Sequence, residues 1–95
     1  MSAYPTRIIE SALLRKGFRL EQTHHRILQL FVGGAKTRVR TRISHGSKQY
    51  GDSLLSLMAR ELHVRKKELD TLIQCPMGGD AYADLLVARG IIRPL

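Results

Sequence analysis

Histidines and arginines are the residues of this sequence whose types and spacing suit chemistry on phosphate groups. Residues 23–31 read THHRILQLF, with two adjacent histidines ahead of an apolar run. Side chains on a strand alternate between faces, so His24 and His25 are expected to point to opposite sides. Residues 36–43 read KTRVRTRI and alternate strictly between cations and Thr, Val or Ile. This alternation predicts a strand with one cationic face, formed by Lys36, Arg38, Arg40 and Arg42.

The pair Gly33-Gly34 between these two runs predicts a hairpin, because primed turns require positive φ at their central residues. A hairpin closed by this pair predicts specific cross-strand partners, which share a face of the sheet. His25 then lies on the cationic face, and His24 faces the margin of the core beside Ile43. A one-residue slip would reverse this assignment. The predicted partners are Phe31 with Lys36, Gln29 with Arg38, Ile27 with Arg40, His25 with Arg42, Leu30 with Thr37, and Leu28 with Val39.

A histidine on a cationic face is suited to act as a general base near neutral pH, since its usual pKa is about 6.5. It can take the proton from a ribose 2′-OH while nearby arginines stabilise the charge on the attacked phosphate. Such chemistry needs no metal, and the four histidines and one cysteine lack metal-ligand spacing. The sequence therefore predicts no metal and no cofactor. A purely protective role of the charged strand against aggregation is the competing interpretation.

The net charge is uneven along the chain and indicates the class of partner. The formal charge is +8, and residues 1–45 contribute most of it, with nine Lys and Arg against two Glu. A surface of this kind favours a polyanion, RNA or DNA, or an acidic protein.

The remaining patterns predict an α+β fold with an α-β-β-β-α core, a three-stranded antiparallel sheet with helices on one face, and two short C-terminal helices. Gly17 and Gly90 are expected to end helices, and Asp52 or Ser53 and Asp80 to cap them. The predicted helices cover residues 6–16, about 65–74 and 81–89, and a further helix begins after the Asp52 or Ser53 cap and ends at His63-Val64. The predicted strands cover 18–20, 24–32 and 36–43.

Length and composition predict one domain, residues 1–95, in an ordinary globular class. The chain is 43% hydrophobic and 25% charged. No apolar run approaches the roughly 20 residues of a membrane span, so no membrane partner is expected. The N-terminus lacks the features of a secretion signal, and the lone cysteine, Cys75, fits a reducing compartment. The expected localisation is cytoplasmic.

Residues 6–62 resemble the HicA family of toxin–antitoxin ribonucleases. The first helix ends in LLRKGF, and T-H-H at 23–25 stands where the family has G-S-[H/N]-H. A basic hairpin strand, the loop histidine of Ser44-His45, and the helix LLSLMAREL follow in the family's order. Two features depart from the pattern: Gln22-Thr23 replaces Gly-Ser, and residues 65–95 extend beyond the usual family end. This extension could complete the core, dimerise, or mark a branch that binds RNA without being a toxin.

The resemblance implies a double-stranded-RNA-binding-domain-like fold and the activity of an mRNA interferase. It implies RNA (mRNA) and an acidic HicB-like antitoxin as partners, and it makes His25 the catalytic residue. His45 and His24 are further candidates for catalysis or RNA contact. Two alternatives remain open: a non-catalytic RNA-binding module in which His25 is incidental, and a protein–protein interaction domain whose basic strand meets an acidic chain. The candidate RNA contacts are Lys36, Arg38, Arg40, Arg42 and Arg26.

Overall fold

The computed structural model describes residues 3–22, 26–43, 48–74 and 76–93. It has the predicted α+β architecture, with an α-β-β-β-α order followed by two helices. The elements are β1 (Tyr4–Pro5), α1 (Thr6–Arg15), β2 (Phe18–Gln22), β3 (Arg26–Val32), β4 (Ala35–Ile43), β5 (Gln49–Tyr50), α2 (Asp52–Glu61), α3 (Lys66–Gln74) and α4 (Gly79–Ala88).

The main sheet is antiparallel and has the order β2-β3-β4, so β3 is the central strand. A second, two-stranded sheet joins β1 to β5, and the Thr6 N–H donates to the Lys48 carbonyl at 2.9 Å beside it. This small sheet could not be predicted from the sequence, because strands of two residues are too short to show a period.

The β3–β4 turn is the predicted Gly33-Gly34 hairpin, with φ of 60° and 82° at the two glycines. Beside the turn, Phe31 pairs with Lys36 as predicted, and Val32 pairs with Ala35. Positive φ at both central residues matches the right-handed twist of the two strands.

A β-bulge then changes the register, and the predicted partners beyond it are wrong. Gln29 lies opposite Arg40 and Ile27 opposite Arg42, so residues 37–39 of β4 bulge opposite Leu30. Ile43 lies opposite Arg26, where His24 was predicted. The register moves by two residues rather than one, and an even shift leaves the described side chains of β3 and β4 on their predicted faces.

Each helix buries one side in the hydrophobic core: α1 and α2 pack on the sheet, and α3 packs on α1 and α2. Ile9 and Leu13 of α1 are fully buried, whereas Ile8, which has the spacing of the core residues, is 41% exposed. In α2, Leu55 and Met58 are buried in the core, and Leu54 is half-buried. Three apolar residues of α3 are buried at helical spacing: Leu69, Leu72 and Ile73.

The C-terminal helices belong to the same hydrophobic core as the sheet. Tyr82 of α4 stacks on Phe18 of β2, with ring centroids 6.0 Å apart, and its hydroxyl donates to the Leu62 carbonyl at 2.8 Å. Burial raises the pKa of Tyr82 above its usual range, so this hydroxyl keeps its proton. Residues 65–95 therefore include helices that complete the core.

The predicted helix caps at Asp52, Ser53 and Asp80 are wrong, because both helices begin earlier. Gly51 and Gly78 are the N-cap residues of α2 and α4, and neither end has a side-chain cap. The two aspartates lie in the first turns, where their charge is favourable to the helix dipole. A Cβ on Gly79 would lie 2.9 Å from the Lys16 carbonyl oxygen, so α4 starts in close backbone contact with the end of α1.

An ion pair holds the end of α4 to the start of α3. Arg89 donates to both carboxylate oxygens of Glu68, at 3.0 and 2.7 Å. Together with the Arg65 N–H, this pairing lowers the pKa of Glu68 below its usual value. In the described ranges, no helix is long and apolar enough to cross a membrane.

The helices α2 and α4 end in the same backbone motif with different residues. The Val64 N–H donates to Ala59, and the Ile91 N–H to Leu86, both at 2.9 Å, as in a Schellman motif. The left-handed position is Gly90 after α4 but His63, with φ of 62°, after α2.

Replacing His63 by glycine is expected to stabilise the protein by about 1 kcal/mol, because the left-handed conformation strains a residue with a Cβ. This corresponds to a rise in Tm of about 4–8 °C in thermal unfolding followed by circular dichroism. Gly90→Ala is the matched control and should lower the Tm by a similar amount. An unchanged Tm in His63→Gly would contradict the assignment.

Candidate nucleic-acid interface

The residues predicted to contact phosphates lie on one face of the main sheet, which we call the open face. On β4, every second residue from Lys36 to Arg42 is exposed. Of the alternate residues, Thr37 is half-buried, and Val39, Thr41 and Ile43 are buried. The open face consists of Arg19 and Glu21 of β2, Ile27, Gln29 and Phe31 of β3, and Lys36, Arg38, Arg40 and Arg42 of β4.

The four β4 cations form a row along an edge strand. They span at most about 20 Å, since each residue of a strand advances the chain by about 3.3 Å. Their side chains project to one side because the alternation is kept through the bulge. A row of like charges with this spacing repels itself unless an anion lies across it, so it favours an extended polyanion.

The bulge in β4 is held by two polar side chains. The Gln29 side-chain amide donates to the Thr37 carbonyl at 2.5 Å and to the Val39 carbonyl at 3.0 Å. The Thr37 hydroxyl donates to the Leu30 carbonyl at 2.9 Å and accepts from the Val39 N–H at 3.1 Å. Gln29 is only 2% exposed although it lies on the open face. Its amide therefore replaces ladder donors that the bulge removes and fixes the segment carrying Arg38.

Two contacts cross the open face from β2. The Arg19 guanidinium carbon lies 4.1 Å from the centroid of the Phe31 ring, a cation–π contact. The Glu21 carboxylate pairs with the Lys36 ammonium at 3.6 Å, and both side chains are largely exposed. Because β3 lies between β2 and β4, this ion pair passes over the central strand. The open face thus combines five cations with one carboxylate and one accessible aromatic ring.

A groove of about 580 Å³ lies between the β4 edge and α2. Thr41 donates from the strand to the Glu61 carboxylate at 2.6 Å, and the buried Tyr50 donates to the Arg42 carbonyl at 3.4 Å. Leu57 is 48% exposed at the groove. The groove thus has an apolar wall on α2 and a cationic rim from Arg40 and Arg42 of the open face.

Arg26 is not brought together with the other predicted RNA contacts. It lies on the helix side of the sheet, where its guanidinium is hydrogen-bonded to the Glu10 carboxylate of α1. The ion pair joins the first residue of β3 to α1, so Arg26 has a structural partner on the side opposite the β4 cations.

The candidate catalytic histidines, His24, His25 and His45, lie outside the described residues, and so does Cys75. The fourth histidine, His63, ends α2. Within the described ranges, no group of three or more His, Cys, Asp or Glu could hold a metal ion.

The row of cations was predicted from the sequence, whereas the residues that shape the surface around it were not. Arg19 alternates with Phe18 and Leu20 in the sequence, and this alternation was the available signal that it faces away from the core. The role of Gln29 had no such signal, because it depends on a bulge that forms only when β4 pairs with β3.

In comparisons with known proteins, no family model, no curated protein and no solved structure matches the chain.

Proposed function

We propose that the protein is a HicA-like RNA-binding ribonuclease, the toxin of a type II toxin–antitoxin pair, acting on mRNA in the cytoplasm. The observation that carries the proposal is the open face, with four exposed cations aligned on β4 while the other side of the sheet is covered by helices. RNA is the polyanion whose phosphates repeat at a spacing such a row can follow, and whose 2′-OH provides an internal nucleophile.

The proposed reaction is a transesterification that needs no metal. His25 takes the proton of a ribose 2′-OH, and the 2′-oxygen attacks the adjacent phosphorus. The bond to the 5′-oxygen breaks, and that oxygen leaves with a proton, for which His45 is the candidate donor. The products are a 2′,3′-cyclic phosphate and a 5′-OH end. Arg40 and Arg42 are assigned the stabilisation of the negative charge on the phosphate oxygens.

An acidic HicB-like antitoxin is the proposed protein partner. A surface with five cations and one carboxylate is complementary in charge to an acidic chain, and an antitoxin covering it would exclude RNA.

Expression in a bacterial host tests the enzymatic part of the proposal. Wild-type protein should arrest growth and deplete mRNA, and His25→Ala should abolish both effects while purified protein still binds RNA. His24→Ala is the matched control, and it should retain toxicity in proportion to the amount of folded protein. An inactive wild type that still binds RNA would favour the non-catalytic module, with which Gln22-Thr23 in place of Gly-Ser is compatible. A wild type that binds an acidic protein but no RNA would favour the interaction domain.

Removing the carboxylate of the open face is expected to strengthen RNA binding. Glu21→Gln frees Lys36 and removes a negative charge that repels phosphates, which should raise the affinity about threefold at low salt. The gain should vanish at about 1 M salt, where the screening length is about 3 Å. Fluorescence anisotropy with labelled RNA measures both values. Asp84→Asn, on α4, is the matched control and should leave the affinity unchanged; an equal gain there would mean that only net charge matters.

A further inference from the structure

We infer that the open face binds unpaired nucleotides, with one base stacked on the Arg19–Phe31 pair. The inference rests on the proposed RNA binding and adds the substrate class and the residues that select it. Double-helical RNA hides the faces of its bases, whereas a single strand offers them for stacking.

The geometry of the pair suits a planar ligand. The Arg19 guanidinium carbon lies 4.1 Å from the Phe31 centroid, so the cation lies over the ring on the open face. Arg19 is exposed, and Phe31 is partly exposed. A base that stacks on these two groups replaces water on apolar and weakly hydrated surface, which is how single-strand-binding proteins gain affinity without reading sequence.

The position of the pair relative to the cations supports the same ligand. Lys36 is the cross-strand partner of Phe31, and Arg40 lies two strands away from Arg19 through Gln29. Neighbouring strands are about 4.8 Å apart, so the cation row runs beside the stacking pair at roughly 5–10 Å. The aromatic group on one strand and the charges on its neighbour give an extended strand a place for a base and for the phosphates that follow it.

The alternative use of the pair is structural, as a cation–π contact that only stiffens the sheet. A structural contact would not distinguish single-stranded from duplex RNA. It would also not depend on whether the cation is planar, since lysine makes cation–π contacts as well. The experiment therefore measures the preference for single-stranded over duplex RNA and its dependence on the planar guanidinium.

The test compares the binding of an unstructured RNA of about 12 nucleotides and of its duplex by the full-length protein. His25→Ala serves as the common background so that the RNA stays intact. This background is expected to bind the single strand more tightly. Adding Phe31→Leu should weaken single-strand binding roughly tenfold and leave duplex binding and the salt dependence unchanged, because stacking releases no counterions. Adding Phe31→Tyr, which keeps the ring, should retain the preference.

Arg19→Lys is the second variant and keeps the charge while removing the planar group. It should lose a large part of the single-strand preference at an unchanged salt slope. Circular dichroism checks that each variant is folded, and if Phe31→Leu is unfolded, Arg19→Lys decides alone.

Equal affinity for single strand and duplex, or an unchanged preference in the folded variants, would overturn the inference and leave RNA binding intact. Failure to bind either RNA at about 50 mM salt would overturn the inference together with the proposed function. Poly-L-glutamate is the competitor for the protein-binding alternative. It should displace the single strand only at much higher charge concentration, and displacement at equal charge concentration would also overturn the inference.

Discussion

Replacing Arg38, Arg40 and Arg42 together by glutamine is expected to weaken RNA binding about 100-fold at low salt, with the fold intact. Each exposed cation near a polyanionic surface contributes about 1 kcal/mol, and about 1.4 kcal/mol corresponds to a tenfold change in affinity. The three side chains are exposed on β4 and point away from the core, so the substitutions remove charge without creating cavities.

The slope of the logarithm of affinity against that of salt concentration provides a second, independent readout of the triple variant. Each phosphate contact contributes about 0.7 to this slope for single strands, so it should fall by about 2. The matched control replaces three arginines outside the open face with the same change in net charge: Arg7, Arg60 and Arg93, all exposed. An equal loss of affinity and slope in this control would show that total charge, not the open face, determines binding.

Replacing Gln29 by methionine is expected to destabilise the protein by about 2–4 kcal/mol. The change keeps the length of the side chain but removes the amide that donates to the Thr37 and Val39 carbonyls. An acceptor left without a partner in a buried position costs about 1–3 kcal/mol. Urea unfolding followed by circular dichroism measures the loss as a lower midpoint at an unchanged m-value.

The control for this variant is the same substitution at an exposed glutamine. Gln49 of β5 is exposed, so Gln49→Met should change the free energy of unfolding by less than about 0.5 kcal/mol. Gln29→Met should also weaken RNA binding where it remains folded, because the bulge positions Arg38 on the open face. Stability equal to that of the control would contradict the role assigned to Gln29.

The face assignment of β4 could be predicted from the sequence because a period of two is a local property. Residues 36–43 alternate without interruption, and the exposed and buried positions follow that alternation. The turn at Gly33-Gly34 was predictable for the same reason, since only the two central residues decide it. The register was not, because two residues of β4 can be accommodated in a bulge when a polar side chain on the partner strand satisfies the freed carbonyls. Gln29 of β3 donates to these carbonyls. No residue of β4 or next to it in sequence indicates this interaction.

For the helices too, local features were predictable from the sequence, whereas exact starts and tertiary contacts were not. Helix positions followed from apolar spacing and from Gly17 and Gly90, whose positive φ ends α1 and α4. The starts of α2 and α4 were wrong because Gly51 and Gly78 occupy the N-cap positions where aspartates were expected, and the aspartates lie one or two residues later. The place of α4 in the core depends on Tyr82 meeting Phe18, a contact between residues far apart in sequence.

For the candidate site, the sequence predicted the cations but not their surroundings. Arg26 was grouped with the arginines of β4 by charge alone, whereas its even position on β3 directs it to Glu10 on the helix side. The hairpin pairs odd-numbered residues of β3 with even-numbered residues of β4 on the open face. Arg26, an even-numbered residue of β3, therefore lies on the opposite face of the sheet.

The most direct test of the account is to map the RNA-binding surface by NMR. An unstructured RNA of about 12 nucleotides is titrated into isotope-labelled His25→Ala protein, and the shifts of its amide and arginine side-chain resonances are followed. We expect the largest changes on β4 from residue 36 to 42 and on Arg19 and Phe31, and none on α3 and α4. Changes centred on the helices, or no change at low salt, would contradict it.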